Sequence, residues 1–413
     1  MERSGQRLGL RIAVLHFGEV SGVRARLLPA LAARGHAVAE LQATGPIEPR
    51  GFGGRLRPTP AVALGLAHGL LRFGRRGIAH RWSTPFAFDL HSRRAGELLD
   101  RMSPPPDAVL QHGAIFSPGP APRFPYVLLL DHTRRAAMEQ PAAPDLGLPE
   151  PLDYGPDWYA REERTYRGAS AIAVHSERVA RSLVRDYRVP RSLVHVVGAG
   201  ANVFPERIRR DDDGQTLVFV GKEFERKGGR LLASVFAALR RRRPGLRLLV
   251  AGPSRRLELP EGAEQLGLVP FERLPELFAR STIFVLPTLQ EPFGLAFLDA
   301  MACALPCVGT EIEAIPEIVR HGVTGLLVPP RDERALGEAI ERLLDDPAGA
   351  RRMGLAGRDV VRRGFRWSLV AAKLARLLAE ASGGAGREAA PALRDRGRRP
   401  QAAPGLPGRA DDP

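Results

Sequence analysis

Short apolar runs alternate with segments of helical periodicity along most of the 413-residue chain. This alternation is typical of a doubly wound parallel sheet that has helices on both faces. The helix VRARLLPALAA, for example, follows the first apolar run and ends before Gly35. Before residue 198, the runs predict one Rossmann-like sheet with strands in RIAVLHF, HAVAEL, DAVLQH, PYVLLLDH, SAIAVHS and SLVHVVG.

A polar, acidic connector, GAGANVFPERIRRDDDG, interrupts the pattern after Val197. The alternation then restarts, with a helix predicted from about Gly294 to Ala304 and strands predicted in TLVFVG, LRLLVAG, QLGLV, TIFVLP, PCVG and GLLVPP. A chain of this length exceeds what one hydrophobic core normally organises. We therefore predict an α/β protein with two Rossmann-like domains, 1–203 and 204–381, facing each other across a cleft, and a disordered Arg/Pro/Gly-rich tail, 382–413. Ligands of open α/β sheets bind outside the carboxyl ends of the strands, which is where such a cleft lies.

Composition narrows the function classes only slightly. The net charge is +15, but only three of the 61 basic residues are lysine, which indicates a drift toward arginine codons. Charge alone is thus weak support for a polyanionic partner, and we expect no nucleic acid. The two cysteines, Cys303 and Cys307, lack the second ligand pair of a zinc site, so buried, reduced thiols are expected. With no secretory or membrane-spanning pattern, we expect a cytoplasmic protein.

The most informative segment is LPTLQEPFGLAFLDAMACALPCVG, at the end of a predicted strand and the start of a helix. Glu291 lies in the turn, and Asp299 lies within the helix. Backbone N–H groups of Phe293, Gly294 and Leu295 stand at the helix start, where amides and the helix dipole suit a diphosphate. Glu291 can then accept hydrogen bonds from sugar hydroxyls, and Asp299 can reach a ribose diol.

A second segment, LVFVGKEFERKGGRLL, runs from a strand through a polar loop into a helix. Lys222 and Lys227 flank this loop, and Gly228-Gly229 open the helix. The only other lysine, Lys373, lies in a late helix. Two cations and a helix N-terminus at one place indicate a phosphate site.

Both segments resemble the retaining family four glycosyltransferases, whose hallmark is E-P-F-G-L-x-x-x-E-A-M-A preceded by V-G-R and K-G. In that family the first glutamate contacts the donor sugar and the second contacts the nucleotide ribose, which places Glu291 and the shorter Asp299 in these roles. The family's basic pair neutralises the β-phosphate; Lys222 stands where arginine is commoner, and Lys227 matches. The resemblance covers about residues 10–380 and implies the GT-B architecture, a nucleotide-sugar substrate, and neither cofactor nor metal.

The segment GTEIEAIPEIVRHGVTGLLVPPRD resembles the closing part of the family pattern. Glu317 matches the glutamate of the family's Gly-Gly-x-x-E turn, whereas Glu313-Ala314 replaces the two glycines. That replacement puts a close backbone approach to the donor in doubt. The resemblance also implies that the last helix, FRWSLVAAKLARLLAE, crosses back to the first domain.

The first domain carries weaker signals. Gly18 and Gly22 follow the first strand, where the family has small residues near the donor phosphates and the acceptor. Asp131 and His132 end another strand, where the family has a histidine near the reaction centre, and the sequence leaves open which of the two side chains faces the cleft. His112 also ends a strand, but a buried structural histidine is the better interpretation for it alone.

The resemblance implies retaining transfer by front-face attack, in which the leaving phosphate takes the acceptor proton. Lys222, Lys227 and the helix N-terminus would stabilise the developing charge. Two alternatives stay open: a sugar-nucleotide epimerase of the same fold, and a non-catalytic polyanion-binding protein. The latter would leave the lysines and Glu291 without a purpose. The donor base, the donor sugar and the acceptor are not determined by the sequence.

A membrane-facing surface is also expected in the first domain. The apolar segment AVALGLAHGLLRF is too short to span a bilayer but can lie in its interface. No acidic residue occurs between Pro49 and Phe88. We therefore expect the protein to bind an anionic membrane surface and to act there on a lipid-linked or glycolipid acceptor. The alternative is that the segment is a buried helix and that its arginines are solvated. The arginines that flank the segment are Arg50, Arg55, Arg57, Arg72, Arg75, Arg76 and Arg81.

Overall fold

The computed structural model describes residues 9–18, 22–43, 60–140, 142–207 and 210–384. In these residues the chain forms two six-stranded sheets, and every strand pairing is parallel. Helices flank both sheets. This confirms the predicted fold class of two Rossmann-like domains.

The first sheet has the strand order β2-β1-β3-β4-β5-β6. Its central strands are buried along their whole length, as their continuous apolar runs require. The elements are β1 (Arg11–His16), α1 (Val23–Ala32), β2 (Ala37–Gln42), α2 (Pro60–Phe73), α3 (Pro85–Asp100), β3 (Ala108–His112), β4 (Tyr126–Leu130), α4 (Arg134–Met138), α5 (Pro156–Arg167), β5 (Ala171–Val174), α6 (Glu177–Tyr187) and β6 (Val194–Val196).

The second sheet has the strand order β12-β11-β10-β7-β8-β9. Its elements are β7 (Thr216–Val220), α7 (Gly229–Arg242), β8 (Arg247–Ala251), β9 (Ala263–Gly267), α8 (Leu274–Ala279), β10 (Ile283–Leu286), α9 (Leu295–Ala302), β11 (Cys307–Thr310), α10 (Ile315–Ile318), β12 (Gly325–Val328), α11 (Glu333–Asp345), α12 (Pro347–Gly364) and α13 (Trp367–Gly384).

Each sheet reverses its winding direction at one point. In the first sheet the chain leaves β2 on one side of β1 and continues with β3 on the other. In the second sheet, β7 to β9 extend one way, and β10 returns to the free side of β7. The carboxyl ends of the strands that flank such a point open a crevice in which ligands bind.

Polar caps fix where the helices near this edge begin. The Thr133 hydroxyl accepts the Ala136 N–H at 3.2 Å, and the Ser176 hydroxyl accepts the Val179 N–H at 3.3 Å. Such caps satisfy amides that lack partners in the first helical turn. They place the residues between strand and helix, including His132 and His175, at the sheet edge.

The final helix, α13, packs against α1 and against strands of the first sheet. The chain approaches it closely at Gly200, where an added Cβ would lie 2.4 Å from the Trp367 nitrogen. The Ala201 N–H also donates to the Phe365 carbonyl at 3.0 Å. The helix extends to Gly384, past residue 382; the rest of the predicted tail lies outside the described residues. None of the described helices combines the length and apolarity needed to cross a membrane.

Candidate active site

The loops that follow β7 and β10 meet at the reversal point of the second sheet. The Leu289 N–H donates to the Arg226 carbonyl at 2.9 Å, and the Arg226 guanidinium donates to the Gln290 carbonyl at 2.8 Å. These bonds join the two loops that contain Lys227 and Glu291. The structure thereby brings together two residues that are 64 positions apart in the chain.

Lys227 and Glu291 form an ion pair between Nζ and Oε2, with side chains 13% and 8% exposed. Burial lowers the pKa of Lys227, and the Glu291 carboxylate only partly reverses this effect. A lysine side chain that is largely removed from water interacts strongly with nearby negative charge. Lys222 lies at the exposed start of the same loop, so the predicted basic pair consists of one buried and one exposed cation.

Two helices begin beside this ion pair. Gly228 precedes α7 with φ of 73°, and a Cβ there would lie 1.9 Å from the Pro287 carbonyl oxygen, so only glycine fits. Gly294 precedes α9 with φ of 111°, and Leu295 is the first residue of that helix. First-turn amides lack partners within a helix and favour anions. Both helix starts therefore support the predicted phosphate site.

Phe293 occupies the turn between Glu291 and α9. Its side chain is buried, with its ring centroid 5.4 Å from that of His175, which follows β5 in the first domain. The aromatic contact crosses the cleft. Phe293 therefore packs its side chain against the first domain, and the predicted contact of its backbone N–H with a donor stays a prediction.

Asp299 contacts the connector between the domains. Its Oδ1 accepts the N–H groups of Asn202 at 2.6 Å and of Val203 at 3.2 Å, and Asn202 Nδ2 lies 3.4 Å from Oδ2. Burial raises the pKa of Asp299 to about 7, although these hydrogen bonds oppose the shift. The structure gives this carboxylate a role in holding the connector, and its predicted ribose contact stays a prediction.

His132 faces the second domain. Its Nε2 lies 3.3 Å from Glu313 Oε1, and its Nδ1 lies 2.6 Å from the Thr133 carbonyl oxygen. The Gln140 amide nitrogen contacts both His132 Nε2, at 3.2 Å, and the Glu313 carboxylate. Asp131 is half-buried, and its charge acts on His132 and on His175. The sequence left open which of Asp131 and His132 faces the cleft, and in the structure it is His132 that contacts the second domain.

For two histidines at the same sheet edge, no role was predicted from the sequence. His16 ends β1; its Nδ1 accepts the Gly18 N–H at 3.2 Å, and its Nε2 lies 3.1 Å from Glu40 Oε1. Burial, with the Arg24 charge, lowers the pKa of His16 to about 4. His175 is 3% exposed, and its Nε2 has no hydrogen-bond partner in the described parts of the chain. Their common signal is a polar residue that ends an otherwise apolar strand.

The predicted glycines of the first domain lie at the same edge, with residues 19–21 between them outside the described ranges. Gly18 has φ of 140° and open space beside it. Gly22 precedes α1 with φ of 78°, and a Cβ there would lie 2.9 Å from the Phe271 ring. Within the described residues no atom lies within 4 Å of a Cβ added at Gly18, whereas Gly22 permits close packing across the cleft.

The segment 142–148 of the first domain covers the two site loops. Leu148 and Ala143 pack with Leu289 in one apolar cluster. Arg331 donates to the Ala142 carbonyl at 2.9 Å. Further along the cleft, the Glu317 carboxylate accepts the N–H of Glu177 at 2.8 Å, at the start of α6. The cleft is therefore closed by apolar and polar contacts.

Residues 214–346 match the family of group 1 glycosyl transferases. This match confirms the resemblance to group 1 glycosyl transferases for that part of the chain. An alpha-maltose-1-phosphate synthase of Mycobacterium tuberculosis is 30% identical over 248 residues, which cover 51% of this chain and 63% of that protein. A corresponding synthase of Mycolicibacterium smegmatis is 34% identical over 177 residues, or 38% of this chain and 45% of that protein. The chain thus matches about half of each of these curated relatives.

Solved glycosyltransferase structures share the whole architecture. Sucrose-phosphate synthase from Thermosynechococcus elongatus superposes with a TM-score of 0.68 at 20% identity, covering 91% of this chain and 100% of that one. Anabaena HepE, solved with UDP and glucose, superposes with a TM-score of 0.62 at 15% identity, covering 90% and 99%. At these identities the likeness establishes the GT-B fold alone.

Proposed function

We propose that this protein transfers a sugar from a nucleotide-sugar donor to an acceptor, with retention of configuration and without a divalent metal. The buried Lys227–Glu291 ion pair between two helix starts is the observation that carries the proposal. It combines a cation for phosphate with a carboxylate for sugar hydroxyls. The UDP and glucose bound by HepE, which has the same fold, agree with this donor class.

In the proposed reaction, the bond between the anomeric carbon and the diphosphate oxygen breaks as the acceptor oxygen bonds to the same face. The acceptor proton passes to the leaving phosphate oxygen. Lys227, Lys222 and the amides before α9 stabilise charge on the diphosphate, and Glu291 holds the sugar hydroxyls. In this proposal, Asp131 and His132 of the first domain act on the acceptor side of the reaction centre.

A thermal-shift screen with UDP, GDP, ADP and their common sugar conjugates tests the donor assignment. A ligand at 100 times its Kd stabilises the folded protein by about 2.7 kcal/mol, so one nucleotide series should raise Tm clearly. Lys227→Ala should abolish the shift. Arg241→Ala, a matched control at the exposed far end of α7, should retain it. No shift with any nucleotide, or an equal shift in Lys227→Ala, contradicts the proposal.

We also propose that α2 docks on an anionic membrane, where a lipid-linked acceptor would be found. Leu71 is 87% exposed and Leu64, seven positions earlier, is 50% exposed, so both lie on one outward helix face. Gly69 packs against the turn at Gly77 on the other face. Such an apolar face is suited to the membrane interface. A cytoplasmic location is part of this proposal.

The arginines around α2 have different surroundings. Arg72 donates to the Tyr154 carbonyl at 2.9 Å, and Arg76 donates to the Glu150 carbonyl at 2.6 Å, so both also brace the helix. Arg75 is exposed, and Arg81 is buried. Arg50, Arg55 and Arg57 lie outside the described residues. Anionic lipid contributes about 1 kcal/mol per basic residue near the surface.

Flotation with liposomes that contain or lack anionic lipid tests this surface. The double variant Leu64→Gln/Leu71→Gln should lose binding, and Arg75→Glu should weaken binding to anionic vesicles alone. Leu355→Gln changes a leucine of similar exposure, 48%, on α12 and serves as the matched control. If wild type and all variants stay unbound to the same extent, a soluble acceptor becomes the better hypothesis.

A further inference from the structure

Glu313 has a backbone conformation that glutamate rarely adopts. It stands where the family pattern has glycine, and its φ is 48°, in the left-handed region. In this conformation the Cβ of an L-residue lies too close to the following carbonyl oxygen, which is unfavourable for every residue except glycine. A strained backbone persists only where surrounding contacts hold it, and such positions cluster at functional sites. The left-handed turn therefore forms here without glycine, and contacts of the Glu313 side chain must offset the backbone strain.

The Glu313 side chain is 5% exposed and lies among hydrogen-bond donors from both sides of the cleft. The Gln140 amide and His132 come from the first domain, and the backbone N–H of Glu291 comes from the second. Burial opposes ionisation, but these donors hold the pKa of Glu313 below its ordinary value. A single carboxylate thus joins the cross-cleft histidine to the donor-site turn.

The contacts also determine which nitrogen of His132 is protonated. The Thr133 carbonyl can only accept, so the 2.6 Å contact requires a hydrogen on Nδ1. Nε2 is then the nitrogen that faces the second domain, and it carries a hydrogen only in the imidazolium. In that form both His132 Nε2–H and the Gln140 amide donate to the Glu313 carboxylate. Burial lowers the pKa of His132, whereas Glu313, the Thr133 carbonyl and the Asp131 charge raise it, and the net shift is upward.

We propose that Glu313 is a positioning residue of the transfer reaction: it fixes His132 against the turn that carries Glu291 and keeps its imidazole charged. This inference rests on the proposed function. The imidazolium adds positive charge on the first-domain side of the cleft, and Glu313, which stands where the family pattern has glycine, supplies the carboxylate that holds this charge in place. The charged groups that contact or act on the pair are Asp131 and Glu313 on His132, and His132 on Glu313.

Histidine titration by NMR tests the geometry without any substrate. The full chain is labelled with 13C-histidine, and the His132 signal among the ten histidines is assigned by its loss in His132→Gln. In Glu313→Gln the His132 pKa should fall by about one unit or more, because an opposite charge is removed. Glu311→Gln, an exposed glutamate of the same loop, should leave it unchanged. Equal His132 pKa values in all three proteins overturn the proposal.

Kinetics with the donor found by thermal shift test the positioning role. In Glu313→Gln, kcat should fall more than KM changes, and the alkaline limb of the kcat profile should move to lower pH along with the His132 pKa. Glu313→Gly removes the left-handed strain together with the carboxylate, so it should keep the turn and show the same kinetic loss. Wild-type kcat and pH profile in both variants overturn the proposal.

The two readouts separate failure of this inference from failure of the proposed function. If the wild type transfers no sugar from any donor, the proposed function fails, and the NMR titration still decides whether Glu313 charges His132. If transfer occurs but the pKa of His132 is unchanged in Glu313→Gln, the inference alone fails.

Discussion

Asp299 allows a direct test of how a buried charge beside the cleft affects stability. Asn differs from a protonated Asp only in that an NH2 group replaces the carboxyl hydroxyl. The Oδ1 atom, which accepts two backbone N–H groups, is retained in Asp299→Asn. The new amide group faces Asn202 Nδ2, and the Asn202 amide can rotate to present its oxygen instead. The substitution therefore removes the charge and keeps the two strongest contacts of the connector.

The magnitude follows from the pKa of Asp299, which is raised from 3.8 to about 7 in the folded protein. A raised carboxyl pKa means that folding favours the protonated form, so the stability contribution is complete below about pH 3.8 and is lost as the pH rises to about 7. At 1.36 kcal/mol per unit, this loss is about 4 kcal/mol as an upper estimate. Asp299→Asn should abolish this part of the pH dependence.

Urea unfolding followed between pH 4 and pH 8 measures the effect. The wild type should lose stability relative to Asp299→Asn as the pH rises, and the variant should be the more stable protein at pH 8. Asp299→Ala, which removes the acceptor, should be destabilised at every pH. Parallel wild-type and Asp299→Asn curves would show that the carboxylate ionises without penalty and would refute the reasoning. Calorimetric titration of the same variant with nucleotide tests the predicted ribose contact, which requires weaker binding.

Three further predictions concern the second-domain loops. Lys222→Ala and Lys227→Ala should each lower turnover by orders of magnitude with the fold intact, because both charges act on the leaving diphosphate; near-normal turnover in the double variant contradicts this. Lys227→Met and Glu291→Gln should each reduce the free energy of unfolding by about 3–5 kcal/mol, because each leaves the partner's buried charge unpaired. The double variant should lose less than the sum of the two, and additive losses in urea unfolding would contradict the coupling. Transfer should survive a chelator, and loss that magnesium or manganese reverses would overturn metal independence.

The fold could be predicted in detail because parallel strands buried on both faces must be continuously apolar. All six predicted strands of each sheet are present, including the short strand around Gln265 that carries a weak pattern. The helix limits were less certain. The helix predicted from Gly294 to Ala304 is formed only by Leu295–Ala302, since Gly294 is left-handed and Ala304 has φ of 59°.

The residues of the proposed donor site could be selected from the sequence because they lie in two contiguous motifs. The Lys227–Glu291 contact itself depends on the neighbouring positions of β7 and β10, which strand order alone determines. Glu313 was visible only as a departure from a family pattern. Its function as a bridge depends on His132 and Gln140, which are 181 and 173 positions distant, and local spacing contains no signal for such a contact.

Contacts across the cleft also connect closure to the chemistry of the site. Leu289 lies in the loop before Glu291, and it is covered by Leu148 and Ala143 of the first domain. An added Cβ at Gly147 would lie 2.9 Å from Glu225 Cγ, so the same segment also closes over the lysine loop. Opening the cleft would therefore hydrate both loops, and electrostatic attraction between charges weakens when water enters.

Besides the side-chain contacts of Glu313, several polar contacts that hold the cleft closed use main-chain groups as partners. Glu317 accepts the amides of Glu177 and Arg178, and Arg331 donates to the Ala142 carbonyl. Main-chain partners are present whatever side chain a position carries. Closure therefore depends on the conformation of the first-domain loops, which can vary in sequence around an unchanged set of contacts.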